Sequence, residues 1–344
     1  MDFRLTDEQE LLVDTARSLF TKECGSAVVR AVVEDPAAAR PLFDRHLRDW
    51  VALGDGDLVD LVLFLVEAGA AVAPGPFLAT AGLFVPLLRA VDHPLADAAA
   101  AGELTGTVAI AGPDGRWTPN HEPIRHQVID PHLVDRVAVV LRSPFGAAVA
   151  VVDPARLDHT MVQTMDLARG VASITVPEAA ALELAAEGGI VAAEPAAVEA
   201  AVERMVVAVA AEAVGTARWL LDAAVAYAKE RVQFGTLIGT FQAVQHKLVD
   251  AALSYERAAA AVAYAAMCVD GDSPDRHRAV HVAKAEAGAA ARRCAKDSMQ
   301  VHAGIGYTWE HDLHLRLRRA YGDDALCGTG AWHLDRLADL LFEV

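Results

Sequence analysis

The chain has 344 residues, of which 54% are apolar and 22% charged, a composition typical of globular proteins and not of disordered ones. Its formal net charge of −17 argues against binding to nucleic acid or to an anionic membrane surface, since no basic patch compensates for it. Alanine, the best helix former, supplies much of the apolar fraction, so a mostly helical fold is expected. The one short basic run lies among aspartates and consists of Arg316, Arg318 and Arg319.

The N-terminal third predicts helices. Thr6 and Gln9 form a plausible capping box that opens a first helix. Further helical patterns cover about 41–49, 57–72 and 77–90, and residues 1–103 are predicted to be an N-terminal helical domain. The apolar stretch within 57–72 carries two acidic residues and is too short to span a membrane, and the N-terminus lacks the pattern of a signal peptide.

From about residue 105 the pattern changes to short β-branched runs separated by Gly, Pro and Asp. The runs are TVAIAGP, HQVID, RVAVVLR, GAAVAVVDP and SITVPE. They predict an antiparallel, β-barrel-like middle domain over residues 104–190. The Ala/Glu-rich stretch 179–197 is expected to be a linker that grades into helix.

The remainder, residues 191–344, predicts a C-terminal helical bundle. Its helices are expected at 198–231, at 241–269, from Ser273-Pro274 through Met299, at 308–320 and from near Gly330. The fold class is therefore mostly α with a β middle domain.

Neither cysteines nor histidines show the spacing of a metal site. His277 and His281 are one helical turn apart but lack a third ligand. The cysteines are far apart and form no CxxC: Cys24, Cys268, Cys294 and Cys327. A reduced, cytoplasmic chain without a structural metal is expected.

The segment RVQFGTLIGTFQ, residues 231–242, joins two of the long helices and is unusually rich in polar, aromatic and glycine residues. Arg231 at a helix C-terminus is suited to bind an anion, because a guanidinium matches phosphate and keeps its charge. Phe234 and Phe241 could be core residues, and Gln242 opens the next helix, where its side-chain amide can meet a polar ligand.

A second cluster, QVHAGIGY at residues 300–307, ends the third long helix in a glycine-rich turn. Gln300 and Gly304 belong to it, and glycines there let a backbone approach a ligand closely. Neither cluster is a Walker loop or a Rossmann fingerprint.

The two clusters together resemble the C-terminal domain of the acyl-CoA dehydrogenases, and the order of helical, β and helical blocks resembles that family over the whole chain. The resemblance implies that Arg231, Phe234 and Gln242 contact the FAD of a neighbouring subunit. It further implies FAD contacts for Gln300, Gly304 and Thr329, and a C-terminal four-helix bundle.

The chain departs from the family pattern where the family holds its catalytic glutamate. The usual position, before the GT, is Cys327, and the alternative position is Met205. Glu212 lies two turns beyond Met205, about 10 Å along the helix axis, and Glu203 is expected to point elsewhere. Asp323 and Asp324 are expected to be ordinary helix-end residues, and Cys327 to be an unactivated thiol. No catalytic residue is therefore assigned.

The chain also differs from the family pattern in the segment that lies beside the flavin ring in the family. Where the family has an aromatic residue and a threonine beside the ring, this chain has Gln127 and Ile129. The family's glycine-rich N-terminal loop is reduced to VALGDGD at 51–57.

The chain thus resembles the shorter, base-lacking subunit of heterotetrameric α2β2 acyl-CoA dehydrogenases of actinobacterial steroid breakdown. That resemblance implies a longer partner with the glutamate, and an acyl-CoA substrate derived from a steroid. Three alternatives remain open: a homotetrameric dehydrogenase with Glu212 as base, a flavin monooxygenase of the same fold, and a structural acyl-CoA-binding protein.

Overall fold

The fold was obtained as a computed structural model, which describes residues 3–120, 122–143, 146–176 and 190–342. The predicted order of helices, strands and helices is confirmed. The helices are α1 (Asp7–Glu23), α2 (Ser26–Glu34), α3 (Ala39–His46), α4 (Leu58–Ala71), α5 (Val85–Ala90), α6 (Ala96–Ala100), α7 (Pro195–Glu230), α8 (Gln242–Asp270), α9 (Arg276–His302), α10 (Leu313–Ala325) and α11 (Gly330–Phe342). A π-helical segment, Leu78–Phe84, leads into α5.

The start of α1 shows the predicted capping box. Thr6 Oγ1 accepts from Gln9 N at 3.2 Å, and Gln9 Oε1 accepts from Thr6 N at 3.2 Å. Each side chain thus satisfies a backbone donor that the helix leaves free at its N-terminus.

The middle of the chain forms strands in two sheets. The strands are β1 (Gly106–Ala109), β2 (Ile124–Ile129), β3 (Arg136–Ser143), β4 (Gly146–Val152), β5 (Asp158–Met161), β6 (Val171–Thr175) and β7 (Ile190–Ala193). One sheet has the order β1-β3-β4-β7 and the other β2-β6-β5. All pairs are antiparallel except β1 and β3, which run parallel because the chain between them crosses to the other sheet as β2. The prediction of an entirely antiparallel domain is therefore wrong for this pair.

The C-terminal helices α7, α8, α9 and α10 pack on one another, and α11 packs on α9. The longest, α7, has 36 residues and also packs closely against α4. Two glycines allow this approach: a Cβ on Gly69 of α4 would stand 2.0 Å from Glu212 O, and a Cβ on Gly215 of α7 would stand 1.9 Å from Val66 O. The two helices meet backbone to backbone at this crossing.

One apolar core runs through all three blocks. It includes Phe64 of α4, Val140 of β3 and Ala208 of α7. We propose the domain division 1–103, 104–190 and 191–344 on the change of element type, although the blocks share this core.

Several elements differ from the sequence-based expectation. Helix α2 and strands β5 and β7 were not predicted, and α9 and α10 begin at Arg276 and Leu313, a few residues later than expected. Most of the predicted linker 179–197 lies outside the described residues, which resume at β7. None of the described helices is both long and apolar enough to cross a membrane.

Candidate cofactor-binding site

The segment after α7 is a small β-hairpin. Arg231 caps α7, β8 (Val232–Gln233) pairs with β9 (Thr236–Leu237), and the two-residue turn between them is Phe234-Gly235. Both turn residues have positive φ, 53° at Phe234 and 79° at Gly235, as a tight hairpin of this kind requires. Glycine suits this backbone, whereas a phenylalanine is unusual in it.

Phe234 projects from the hairpin with 93% of its surface exposed, and its ring meets that of Phe241 edge to face at 6.2 Å. A bulky apolar residue in a left-handed conformation costs backbone strain and leaves apolar surface in water. Nothing within the described chain offsets either cost. Phe234 therefore has the properties of a residue that contacts something outside its own chain.

The hairpin is held firmly on α7. Ile238 N donates to Arg231 O at 2.8 Å, and the Ile238 side chain is buried with Ala224 and Ala228. A Cβ on Gly239 would stand 2.8 Å from Ala228 O, so only glycine fits there without displacing the turn. The second glycine of the motif thus has a packing role.

The glycine-rich cluster ends α9 beside this hairpin. Ala303 turns the chain with φ of 53°, and Gly304 has no atom within 4 Å of a built Cβ, which leaves its backbone accessible. A cavity of about 570 Å³ lies between the two clusters, and Arg231, Phe234, Gln300 and Gly304 all line it. The fold therefore brings four of the six predicted cofactor contacts to one cavity.

The other two predicted contacts lie elsewhere. Gln242 is exposed at the first turn of α8 and does not line the cavity. Thr329 precedes α11, and its Oγ1 accepts from Trp332 N at 3.3 Å. Both assignments as FAD contacts stay predictions.

The sequence reasoning missed part of the cavity wall. Tyr227 and His302 line it, and their rings stack at 4.5 Å. His302 Nδ1 is within 2.9 Å of Ser298 O, and burial lowers the pKa of His302. Helical spacing could have found Tyr227, because it lies one turn before Arg231. His302 lies two residues after Gln300, a spacing that does not place two side chains on one helix face, so no pattern pointed to it.

The cavity is electropositive at one end. The Arg231 guanidinium is exposed and has no hydrogen-bond or ion-pair partner among the residues described. Lys247 also lines the cavity, with Nζ at 3.4 Å from Asp297 Oδ1. An aromatic wall, an open glycine backbone and an unpaired arginine suit a nucleotide-like ligand that carries phosphate.

The turn around Cys327 is rigid and apolar. Lys284 Nζ donates to the carbonyls of Asp323, Asp324 and Gly328, each at 3.1 Å, and so closes the end of α10. The Cys327 side chain is buried, and this burial raises the pKa of its thiol to about 12. Cys327 is therefore a neutral thiol at physiological pH.

The predicted substitute base, Glu212, lies in a buried ion-pair cluster. Glu212 Oε1 is 2.8 Å from Arg319 Nη1, and its other oxygen pairs with Arg169. Arg169 Nη1 also contacts Asp323 Oδ1 at 2.6 Å, and Arg319 pairs with Asp166. We call these five residues the charge cluster.

Two buried carboxyl groups at the charge cluster have raised pKa values. Asp130 lies beside it, fully buried, with Oδ1 accepting from Gly170 N at 2.8 Å. Burial raises the pKa of Asp130 to about 7 and that of Asp323 to about 8. Asp130 and Asp323 therefore hold their protons more tightly than free carboxyls do. The ion pairs of the cluster join the middle block, α7 and α10.

A separate cavity of about 340 Å³ adjoins Cys327. Its lining includes Trp117, Cys327 and Glu203, but neither Met205 nor Glu212. Glu203 is buried and paired with His277 and with Arg276, whose Nε is 3.2 Å from Glu203 Oε2. Burial raises the pKa of Glu203.

The stretch that corresponds to the family's flavin-ring segment is engaged within the chain. Gln127 Oε1 accepts from Trp117 Nε1 at 3.0 Å, and Gln127 Nε2 donates to Ala325 O at 3.2 Å. Ile129 is fully buried and has no polar side-chain atom to offer. These residues tie the middle block to the end of α10 and do not fit the polar edge of a flavin ring.

The comparisons with known proteins agree with this architecture. Residues 195–342 match the family "Acyl-CoA dehydrogenase, C-terminal domain". The chain is 30% identical to the acyl-CoA dehydrogenase IpdE2 of Mycobacterium tuberculosis over 98% of both chains. The chain belongs to the acyl-CoA dehydrogenase family, whose members are FAD-dependent flavoproteins.

A second relative is longer. The acyl-CoA dehydrogenase FadE34 of M. tuberculosis is 38% identical over 80% of this chain, but the chain spans only 37% of its length. Among solved structures, the ChsE4-ChsE5 complex from M. tuberculosis has a TM-score of 0.84 at 23% identity, with 100% of both chains covered. The Tcur3481-Tcur3483 steroid ACAD variant has a TM-score of 0.83 at 25% identity, with 98% of both covered.

Proposed function

We propose that this chain is a non-catalytic subunit of a heteromeric, FAD-dependent acyl-CoA dehydrogenase. In this assembly it completes the FAD site of a longer partner that carries the catalytic glutamate. The observation that carries the proposal is the contrast between two regions. The cavity lined by Arg231, Phe234, Gln300 and Gly304 is open, whereas the Gln127 side chain is engaged by hydrogen bonds within the chain.

The residues of the open cavity fit part of an FAD. The unpaired Arg231 suits a phosphate oxygen, Phe234 and Phe241 offer apolar faces, and the backbone at Gly304 is accessible. When bound, FAD accepts the β-hydrogen of the acyl thioester as a hydride. This chain's residues hold and orient the cofactor from across a subunit interface, and Phe234 excludes water from it.

Within the described residues, neither of the family's two base positions nor Glu212 offers a free base, which supports the non-catalytic role. Removal of the α-proton needs an ionised group beside the substrate. Cys327 is a neutral thiol, Met205 is buried and apolar, and Glu212 is held by two guanidiniums. A carboxylate that two arginines already pair is not available to take a proton from a substrate.

The test is co-expression with a longer homologue that has the glutamate, followed by purification of the complex. Arg231→Gln in this chain should lower the FAD content and the dehydrogenase activity of the complex together. Arg257→Gln serves as the matched control, because Arg257 is an exposed arginine of α8 paired with Glu286. Full FAD content in the Arg231→Gln complex would exclude the proposed contact.

The substrate class is proposed by likeness to the steroid ACAD. A complex for a steroid-derived acyl-CoA should turn over such a thioester faster than butyryl-CoA. The reverse preference would exclude a steroid substrate while leaving the subunit role intact.

One observation favours a second function, a dehydrogenase whose base is supplied by this chain. Glu203 lines the same cavity as Cys327, and burial raises its pKa. The variant Glu203→Gln distinguishes the two functions. If this chain is a non-catalytic subunit, the complex should keep its activity. Lost activity with FAD retained would place the base in this chain.

A further inference from the structure

A cleft of about 470 Å³ lies between α1, α4, α7 and α10. None of the predicted cofactor contacts lines it. Its wall includes three arginines, Arg17, Arg218 and Arg316, and two acidic residues, Glu67 and Asp222. We call it the Arg316 cleft. Its charged side chains carry one positive charge in excess, within a chain whose net charge is −17.

Arg316 is buried in the wall with only 5% of its surface exposed. Nη1 donates to Ser26 Oγ at 2.9 Å, and the guanidinium carbon lies 4.3 Å from the centre of the Trp219 ring. No carboxylate of the described chain forms an ion pair with it. Burial lowers the pKa of Arg316 to about 10, so the group stays charged at neutral pH. A buried, unpaired cation is costly, and an anion would offset that cost.

The two other arginines share a single carboxylate. Arg218 Nη1 and Nη2 contact the two oxygens of Glu67 at 2.9 and 2.6 Å, and Arg17 Nη2 contacts one of them at 3.0 Å. Asp222 is exposed at the rim and forms no ion pair with any described residue. Glu67 is therefore fully used by its two partners. The carboxylate that acts on Arg316 is Asp312, which forms no ion pair with it and is itself paired with Arg30 at 2.9 Å.

The beginning of α2 adds to the positive potential. Gly25 and Ser26 line the cleft, and the N-terminus of α2 has no side-chain cap. Free N–H groups at a helix N-terminus carry a partial positive charge and favour anions.

We propose that the Arg316 cleft binds a small oxyanion, a phosphate or a carboxylate group. Arg316 forms its base, Arg17 lies at its mouth, and Trp219 forms its apolar wall. The site is independent of the proposed cofactor role, because the two cavities share no lining residue.

The test uses the full-length protein in the assembly in which it purifies. Inorganic phosphate and, separately, acetate are titrated against sodium chloride at matched ionic strength. Binding is followed by tryptophan fluorescence and by thermal shift. A saturable change beyond the chloride control is expected, and Trp219→Phe should remove the fluorescence change but keep the thermal shift. Saturation by phosphate alone or by acetate alone identifies which oxyanion the cleft takes.

Two variants at exposed positions test the electrostatics without disturbing the core. Arg17→Gln removes a cation but leaves the Arg218–Glu67 pair, and should weaken binding about threefold or more. Asp222→Asn removes an anion from the rim and should tighten binding by a similar factor.

Arg316→Lys keeps the charge but loses the planar fork, and should weaken binding further. Arg257→Gln should have no effect. The proposal is overturned by a lack of saturation at 10 mM probe, roughly the affinity range of a weak site, or by equal binding in all variants.

Discussion

Phe234 is the residue at which the proposed contact with FAD conflicts most with the stability of the chain. It stands in a left-handed turn with 93% of its surface exposed. Asparagine tolerates that backbone far better, and Asn-Gly is the preferred pair for such a turn. The stability of the hairpin does not explain this residue, whereas the proposed contact with FAD would.

Phe234→Asn should raise the free energy of unfolding of this chain by about 1 kcal/mol, through relief of backbone strain. The same variant should lower the FAD content of the complex, because the aromatic face is lost. Chemical denaturation and the flavin absorbance of the purified complex measure the two effects. Phe342→Ala, which truncates another exposed aromatic residue, is the control. Unchanged FAD content would show that Phe234 does not contact the cofactor.

Glu212 was a candidate base on its position in the sequence, and its partners give it a structural role. Glu212→Gln should destabilise the fold by about 3 kcal/mol or more, because it leaves Arg169 and Arg319 with uncompensated charge. Denaturation of the variant and of the control Glu199→Gln, an exposed position on the same helix, measures this cost. A stable but inactive Glu212→Gln complex is the result expected of a catalytic base and would contradict the structural role.

At the scale of elements, the charge cluster fixes how the middle block meets α7 and α10. Asp130 directly follows β2 and faces Arg169, Arg319 and Asp166 of the cluster. Its raised pKa means that the folded chain holds this proton more tightly than the unfolded chain does. Between its ordinary pKa near 3.8 and about 7 the folded state therefore binds more protons, and stability falls as pH rises through this window.

Asp130→Asn should remove this part of the pH dependence. The amide oxygen can still accept from Gly170 N, but the group no longer titrates. Unfolding free energies from pH 4 to pH 8 should fall less steeply for the variant than for the unaltered protein, by on the order of 1 kcal/mol or more across the window. Identical slopes for the two proteins would show that Asp130 is ionised in the folded state.

The same elements show what the sequence could and could not predict. The connection between α7 and α8 and the turn after α9 were singled out because their residues are contiguous and break the surrounding helical pattern, although the hairpin in the first was not predicted. The charge cluster was missed because Arg169 pairs with residues 43 and 154 positions away, which no local pattern reveals. Arg316 and Arg319 looked like a short basic run, yet each is buried and faces different partners. Strand β5 was missed because all four of its side chains are exposed, so its sequence shows no alternation of polar and apolar residues.

At the scale of the whole molecule, the chain has the family architecture, but its two candidate cofactor regions differ from each other. The cavity beside the hairpin remains open to a ligand. Gln127 and the charge cluster connect the middle block to α10 through hydrogen bonds and ion pairs. Cys327 lies in the turn whose carbonyls accept from Lys284. This contrast supports the proposal that the chain functions together with a partner subunit.

The central claim is that this chain serves a flavin that another polypeptide holds. The most direct measurement is the number of FAD molecules per polypeptide in the purified protein, alone and after co-expression with a longer homologue that has the glutamate. The account predicts a flavin-free chain when it is alone, and one FAD for each pair of unlike chains in an active complex. An active homomer with one FAD in every copy of this chain would contradict it.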